Sequence, residues 1–246
     1  LIYCNYYLNR FNNIMDKNIN IGYNKFMFTE PSGQNLLDLL KKKNLILDGP
    51  MGTMIQQYDL EEIDFRGNRF IHHPCDLKGN NDLLVLTKPE IIEDIHMQFL
   101  QAGSHIIETN TFSSTSISQA DYKLESIVSE LNIEAVKIAK NAINKFSKKN
   151  PNQSFFIAGA IGPTNRTASI SPDVNDPGYR AINFDDLVLA YTQHVRALID
   201  GGIDILLVET IFDTLNAKAA IFAIESIFEE TKKRLPIMIS VTITCL

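Results

Sequence analysis

Two stretches of the chain run an apolar segment into a carboxylate. In Gly201–Thr214, GGIDILLVETIFDT, the run Ile203 to Val208 ends on Glu209-Thr210. A shorter version of the same plan reads Ala102-Gly103, then His105-Ile106-Ile107, then Glu108-Thr109. A continuous run of branched apolar residues between two helical segments is the pattern of a parallel strand covered on both faces. A carboxylate at the C-terminal tip of such a strand stands where α/β folds make their ligand contacts. The chemistry this offers is recognition of a cation, and a small amino acid presents one as its ammonium. The competing reading is that Glu209 only caps or pairs within its own loop.

The elements needed to hold such tips recur along the chain. A helix over Gln34–Lys43 leads into a first strand, Leu45-Ile46-Leu47, which ends at Asp48. The loop Gly49–Thr53 carries glycines without GxGxxG spacing, and Met54–Leu60 starts a helix. A long excursion, Glu61–Thr87, contains DFRG, HHPC and KGNND, and loops of that length usually shape a site. Pro89 suits a first helical turn, with Ile91, Ile92, Ile95, Phe99 and Leu100 as one stripe and Gly103 as a left-handed stop. After the second strand come TNTFSSTS and a helical segment to about Phe146, followed by strand Phe155–Ile161. A second polar loop, Gly162–Asn183, ends at Asn183, a helix cap with Asp185 and Asp186 at the positive end. Asp213 caps the next helix, and Pro236–Ile243 is the last strand.

Strand–helix alternation of this kind predicts a parallel α/β fold. A doubly wound sheet fits the alternation. An (βα)8 barrel fits the strand-tip acids better, and about five of its eight strands are legible. The expectation is therefore an incomplete barrel over 35–246, with residues 1–34, rich in Asn and Tyr, as a disordered or non-native extension. The chain starts at Leu1, and Met15 is a candidate initiator. An apolar strand Ile237–Ile243 at the edge of an open sheet is expected to promote association.

Bulk properties narrow the partners. A formal charge of −6 without Lys/Arg clusters argues against nucleic acid, and no apolar run is long enough to cross a membrane. Three scattered cysteines, Cys4, Cys75 and Cys245, argue against a disulfide framework and for a reducing, cytoplasmic setting. His96 and His194 fall in helices as surface or packing residues, and no Ser/His/Asp order is legible.

Six runs, ILDGPMGTMIQ, DFRGNRF, LKGNNDLLVLTKPEII, AGSHIIETNTFSSTSISQADY, GPTNRTASISPDVNDPGYR and VETIFDTLNAKAAIFA, together resemble the homocysteine-binding module of cobalamin-dependent methionine synthase. The resemblance spans roughly residues 45–244, and KGNNDLL with GPTNRTASISPDV favours that enzyme over relatives using betaine or S-methylmethionine. It implies a (βα)8 barrel that transfers a methyl group to homocysteine, with cobalamin- and folate-binding modules as partners and zinc on the substrate sulfur. It also implies that Asp48 and Glu209 hold the substrate ammonium, with Gly49 and Thr109 near its carboxylate. Pro50 stands where the family has glycine, so that position offers no backbone donor. The family's cysteine ligands, in an NC strand end and a GGCC turn, have no match in this sequence. In HHPC, Pro74 and the crowding of His72, His73 and Cys75 oppose a tetrahedral site, so the motif is expected to be a solvated loop and the isolated chain to bind neither zinc nor cobalamin.

Overall fold

The computed structural model describes residues 31–243; Cys4, Cys245, Met15 and the expected extension up to residue 30 lie outside them. Helix α1 (Pro31–Leu40) starts three residues before the expected Gln34, and α2 spans Met51–Gln56. Four longer helices follow: α3 (Pro89–Gln101), α4 (Val128–Ser147), α5 (Phe184–Gly201) and α6 (Thr214–Thr231). Between and after them lie strands β1 (Ile106–Glu108), β2 (Phe156–Ile161), β3 (Ile205–Ile211) and β4 (Ile237–Val241). The strands lie side by side in sequence order, every pair parallel. Parallel neighbours need a long crossover, and helices α4, α5 and α6 supply one each between successive strands. Consecutive long helices also pack on one another, α3 on α4, α4 on α5 and α5 on α6, so the helical layer follows the order of the sheet.

Alternation along the strands divides the core. Ile107, Ile157, Leu206 and Val208 face the helices, where Leu187, Tyr191, Val195, Ala220 and Ile224 bury them. Ile106, Phe156, Ala158, Ile205 and Leu207 face the other way, against Leu36 of α1 and the half-buried Leu39, Leu45 and Leu47. Helix α1 thus covers the inner face of the sheet. A strand with both faces covered has no polar face to alternate, which is why β3 reads as an unbroken apolar run. The fold is the α/β arrangement of a (βα)8 barrel, of which the described residues hold four ladder strands.

The fifth expected strand is reduced to one bridge, Leu47 to Ile106. His105 explains the loss. Its Nδ1 accepts the Ile46 N–H at 3.3 Å, so a side chain takes a donor that a ladder would use, while Ile46 O accepts from both His105 N and Ile106 N. At the other edge, β4 pairs only with β3 and leaves Ile239 56% and Val241 63% exposed.

The expected punctuation is largely in place. Asn183 Oδ1 accepts Asp186 N at 2.8 Å, and Pro89 sits in the first turn of α3. Gly202 (φ 83°) and Gly103 (φ 105°) adopt the left-handed turns that end α5 and α3. His96 and His194 are fully buried packing residues, and burial pushes their pKa values down to about 4 and about 3.

The loop after β2 approaches its neighbour too closely for any side chain at Gly162. A Cβ there would collide with the carbonyl oxygen of Phe112, a backbone atom that cannot swing away. Gly162→Ala is expected to destabilise the chain by about 1–3 kcal/mol, measured as a lower midpoint in chemical denaturation at unchanged slope.

Candidate functional site

The C-terminal ends of the parallel strands open into a cleft of about 630 Å³. Asp48 enters it from the loop after the Leu47 bridge, Glu108 from the last position of β1 and Glu209 from β3. Gly49 and Thr109 line the same space, so the structure brings together all four residues singled out in the sequence. The shared device is parallel order: neighbouring strands and the Leu47 bridge bring the residues that follow or end them to one end of the sheet, side by side.

Asp48 ties two strand ends together. Its N–H donates to Ile106 O at 3.0 Å, and its Oδ2 accepts the Glu108 N–H at 3.0 Å. Its Oδ1 is buried with no hydrogen-bond partner among the described residues. A buried carboxylate oxygen without a donor is costly, and one bordering a cleft is a natural place for a ligand N–H.

Glu209 owes its position to an irregularity. Strand β3 was expected to stop at Glu209-Thr210; instead the pairing with β4 breaks between Val208 and Ile211 and then resumes. Thr210 takes φ 53° within that break. A β-branched residue there is strained, and such strain gathers at functional sites because surrounding structure must enforce it.

Thr109 lines the cleft with its hydroxyl already committed. Thr111 has one hydroxyl proton and donates it to Ala160 O at 2.8 Å. In the 2.7 Å contact between the two hydroxyls Thr109 is therefore the donor, and its oxygen also accepts Ala160 N at 3.0 Å. The side chain fastens the end of β1 to β2 and has no proton left for a ligand. Gly49 is fixed by space, since a Cβ there would meet the Phe99 ring at 2.9 Å.

The walls come from both long loops. Asp82 of KGNND is buried, and its Oδ2 accepts Ser113 N at 2.7 Å and Ser114 Oγ at 2.8 Å from TNTFSSTS. Asn80 and Gln119 exchange side-chain hydrogen bonds at 2.8 and 3.2 Å, and Asn110 Nδ2 donates to Asn81 O at 2.8 Å. Asp213 caps α6 by accepting Leu215 N and Asn216 N, while its other oxygen holds Ser169 N and Oγ. Asn216 reaches Thr164 Oγ1 and Arg166 O, which places GPTNRTAS over the cleft with Asn165 in its lining. Sequence reasoning named Glu108 as a strand tip without giving it a role of its own, and left out Asp82. Glu108 carried a usable signal, as the tip of the repeated strand-end pattern; Asp82 carried none beyond lying in a long loop.

Crowded burial raises the proton affinity of these acids. Burial pushes Glu108 up to about 9, with Glu209 and Asp48 adding repulsion. Asp48 rises to about 7, mainly by burial, and the fully enclosed Asp82 rises to about 6 for the same reason. Glu209 is raised as well, by burial first, with the Asp82 charge adding to it.

The DFRG and HHPC motifs are structural. Glu62 accepts Leu77 N and Lys78 N and pairs with Arg66 at 2.5 Å. Arg66 in turn donates to the carbonyls of His73 at 2.8 Å and Cys75 at 3.0 Å. His73 Nε2 and Cys75 Sγ both contact Tyr122 O, at 2.7 and 3.3 Å, so HHPC is pinned and half-buried at those two positions, where a solvated loop was expected.

The homocysteine S-methyltransferase family model matches residues 45–245. The chain belongs to that family. Among solved structures it is similar to the homocysteine methyltransferase MmuM from Escherichia coli. The metallated form matches with TM-score 0.61 and 21% identity over 81% of this chain and 64% of that one. The oxidised form matches with TM-score 0.60 and 22% identity over 78% and 61%. The chain therefore spans less than two thirds of the length of these structures, and at this identity the likeness concerns the fold. MmuM has a metallated form; in this chain, no three His, Cys, Asp or Glu side chains among the described residues gather as a metal would require. The described side chains of the cleft do not fit a metal.

The raised carboxyl groups set a pH dependence. The unfolded chain loses these protons near pH 4, whereas the folded chain holds them to about 6, 7 and 9 at Asp82, Asp48 and Glu108. Their contribution to stability is complete below the unfolded values and is lost as pH rises through the folded ones. His96 and His194 act oppositely, but their contribution is complete above about pH 6.5. Between about pH 7 and 9 the melting temperature is expected to fall, and Glu108→Gln to flatten that fall, as read by a calorimetric pH series. A parallel decline in both proteins would contradict the assignment.

Proposed function

We propose that the cleft binds homocysteine by its ammonium group, with Asp48 and Glu209 as acceptors, and orients the sulfur outward for methylation. The observation that carries this reading is the unpartnered, buried Oδ1 of Asp48 in a cleft that Glu209 shares. An ammonium has three donors and one charge, and seated between two carboxylates it supplies what Asp48 lacks. Gly49 and the backbone around Thr109 border the same space and are assigned to the amino acid's carboxylate end; the Thr109 hydroxyl serves as a brace. The side chains of this chain bind and orient, and the loops KGNND and GPTNRTAS limit the entry of water.

The finer reading is the homocysteine-binding part of cobalamin-dependent methionine synthase, which gives methionine using a methyl group from methylcobalamin, first supplied by 5-methyltetrahydrofolate. Its support is that KGNND and GPTNR, the motifs that favour this enzyme, both contribute residues to the lining of the cleft. Cobalamin- and folate-binding modules, and zinc at the substrate sulfur, belong to that whole enzyme. A second reading, a homocysteine methyltransferase using another methyl donor, fits the same family match over residues 45–245. Methyl transfer to homocysteine from methylcobalamin, set against transfer from S-methylmethionine, separates the two.

Removing Glu209 tests the shared core of both readings. A charge-assisted hydrogen bond is worth about 1.5–3 kcal/mol, so Glu209→Ala is expected to weaken L-homocysteine binding roughly 10- to 100-fold in titration calorimetry. Unchanged affinity would overturn the ammonium assignment.

A further inference from the structure

Four acidic side chains in the cleft, Asp48, Asp82, Glu108 and Glu209, have no ion-pair partner among the described residues, and no Lys, Arg or His lines it. A fifth, Asp121, lies at the rim opposite Arg166 at 3.6 Å and is accounted for. Facing Glu108 are Asp48 from the loop after the bridge and Glu209 from β3; Asp82 and Tyr122 line the cleft from the loops beyond. No cation stands among them. One amino-acid ligand brings one ammonium, too little charge to balance four carboxylates.

We propose that Glu108 is held protonated in the empty cleft and gives up its proton when a ligand ammonium enters, so that capture of the amino acid is coupled to proton release. This rests on the reading of the cleft as an amino-acid site. The exchange is balanced: the Glu108 O–H bond breaks, the proton leaves to solvent, and the ligand's positive charge takes its place beside the new carboxylate. The order of the groups supports Glu108 in this role. Asp48 uses one oxygen to accept the Glu108 N–H and so already has a hydrogen bond favouring its anion. Asp82 has two donors on Oδ2. Glu108 has no hydrogen bond of that kind among the described residues, and burial lifts it to about 9, above Asp48 at about 7 and Asp82 at about 6. The empty cleft thus lowers its own charge at the position least able to bear it.

The consequence is a site that discriminates by charge. A neutral or anionic ligand displaces no proton and leaves the cleft as it was. An ammonium ligand is held by Asp48 and Glu209, and the Glu108 carboxylate facing them adds attraction once the proton has gone.

Titration calorimetry with L-methionine on the full chain tests this, because L-methionine carries the ammonium and no thiol proton of its own. In buffers of different ionisation enthalpy at about pH 8, close to one proton should be released per ligand bound. The affinity should rise up to tenfold per pH unit over about pH 7.5–8.5. Glu108→Gln, isosteric with the protonated side chain, should lose that slope and most of the release, and bind more weakly at the upper end. Binding without proton release, or a Gln variant that releases as the parent does, overturns the proposal and leaves the amino-acid reading standing. Failure of both L-methionine and L-homocysteine to bind overturns the reading and the coupling with it. Infrared spectra of the free protein at about pH 8 isolate the proton itself: a protonated-carboxyl band missing from Glu108→Gln is expected, and its absence from the parent overturns the proposal whatever the ligand does.

Discussion

Crowding of carboxylates at one end of a parallel sheet, with no cation among the described residues to balance them, is the constraint around which the molecule is arranged. Like charges in a poorly solvated space repel and cost hydration, so the fold must hold them there by force. The force comes from bonds outside the cleft. Asp48 is fixed by Ile106 O and Glu108 N, and Thr109 with Thr111 locks the next strand end. The break in pairing at Glu209-Thr210 turns the third acid. A core packed on both faces of the sheet makes these positions rigid enough to stay unfavourable.

The loops are part of the same device. KGNND and TNTFSSTS are stitched through Asp82, Asn80 and Gln119, and GPTNRTAS is stitched to α6 through Asp213 and Asn216. Each junction satisfies backbone groups with side-chain amides or carboxylates, which lets long polar segments be buried without a ladder. Asp213 does this twice over, with one oxygen on the helix and the other on the loop. The polar residues in these motifs are therefore explained mostly by holding the walls, and few of them by direct contact with a ligand.

The motifs outside the cleft divide in the same way. DFRG is a clamp, with Arg66 gathering carbonyls from Phe70 to Cys75 and Glu62 holding Leu77 and Lys78. HHPC is held by that clamp and by Tyr122 O, so its two potential soft ligands face a carbonyl. Residue types that suggest metal chemistry in a string of letters are here used as hydrogen-bond partners. Among the described residues no helix is long and apolar enough to cross a membrane.

Local physics wrote much of this into the chain. Period, caps and breakers fixed the helices and their ends: Pro89, Asn183, Gly202 and Asp213 act within a turn of where they stand, so their effect is readable from neighbours alone. The apolar run before Glu209 likewise announced a strand buried on both faces, and with it the end of the sheet where ligands are met. Other features depended on groups far apart in the sequence. Leu45–Leu47 has the composition of a strand, yet His105, about sixty positions on, takes its donor and leaves a bridge. Thr109 looked free to meet a ligand until Ala160 and Thr111 were seen to use both its proton and its oxygen. Asp82 became a member of the site only when loop stitching set it beside Asp48, Glu108 and Glu209. Proton affinity and hydrogen-bond saturation are properties of a neighbourhood, and only the folded chain brings that neighbourhood together.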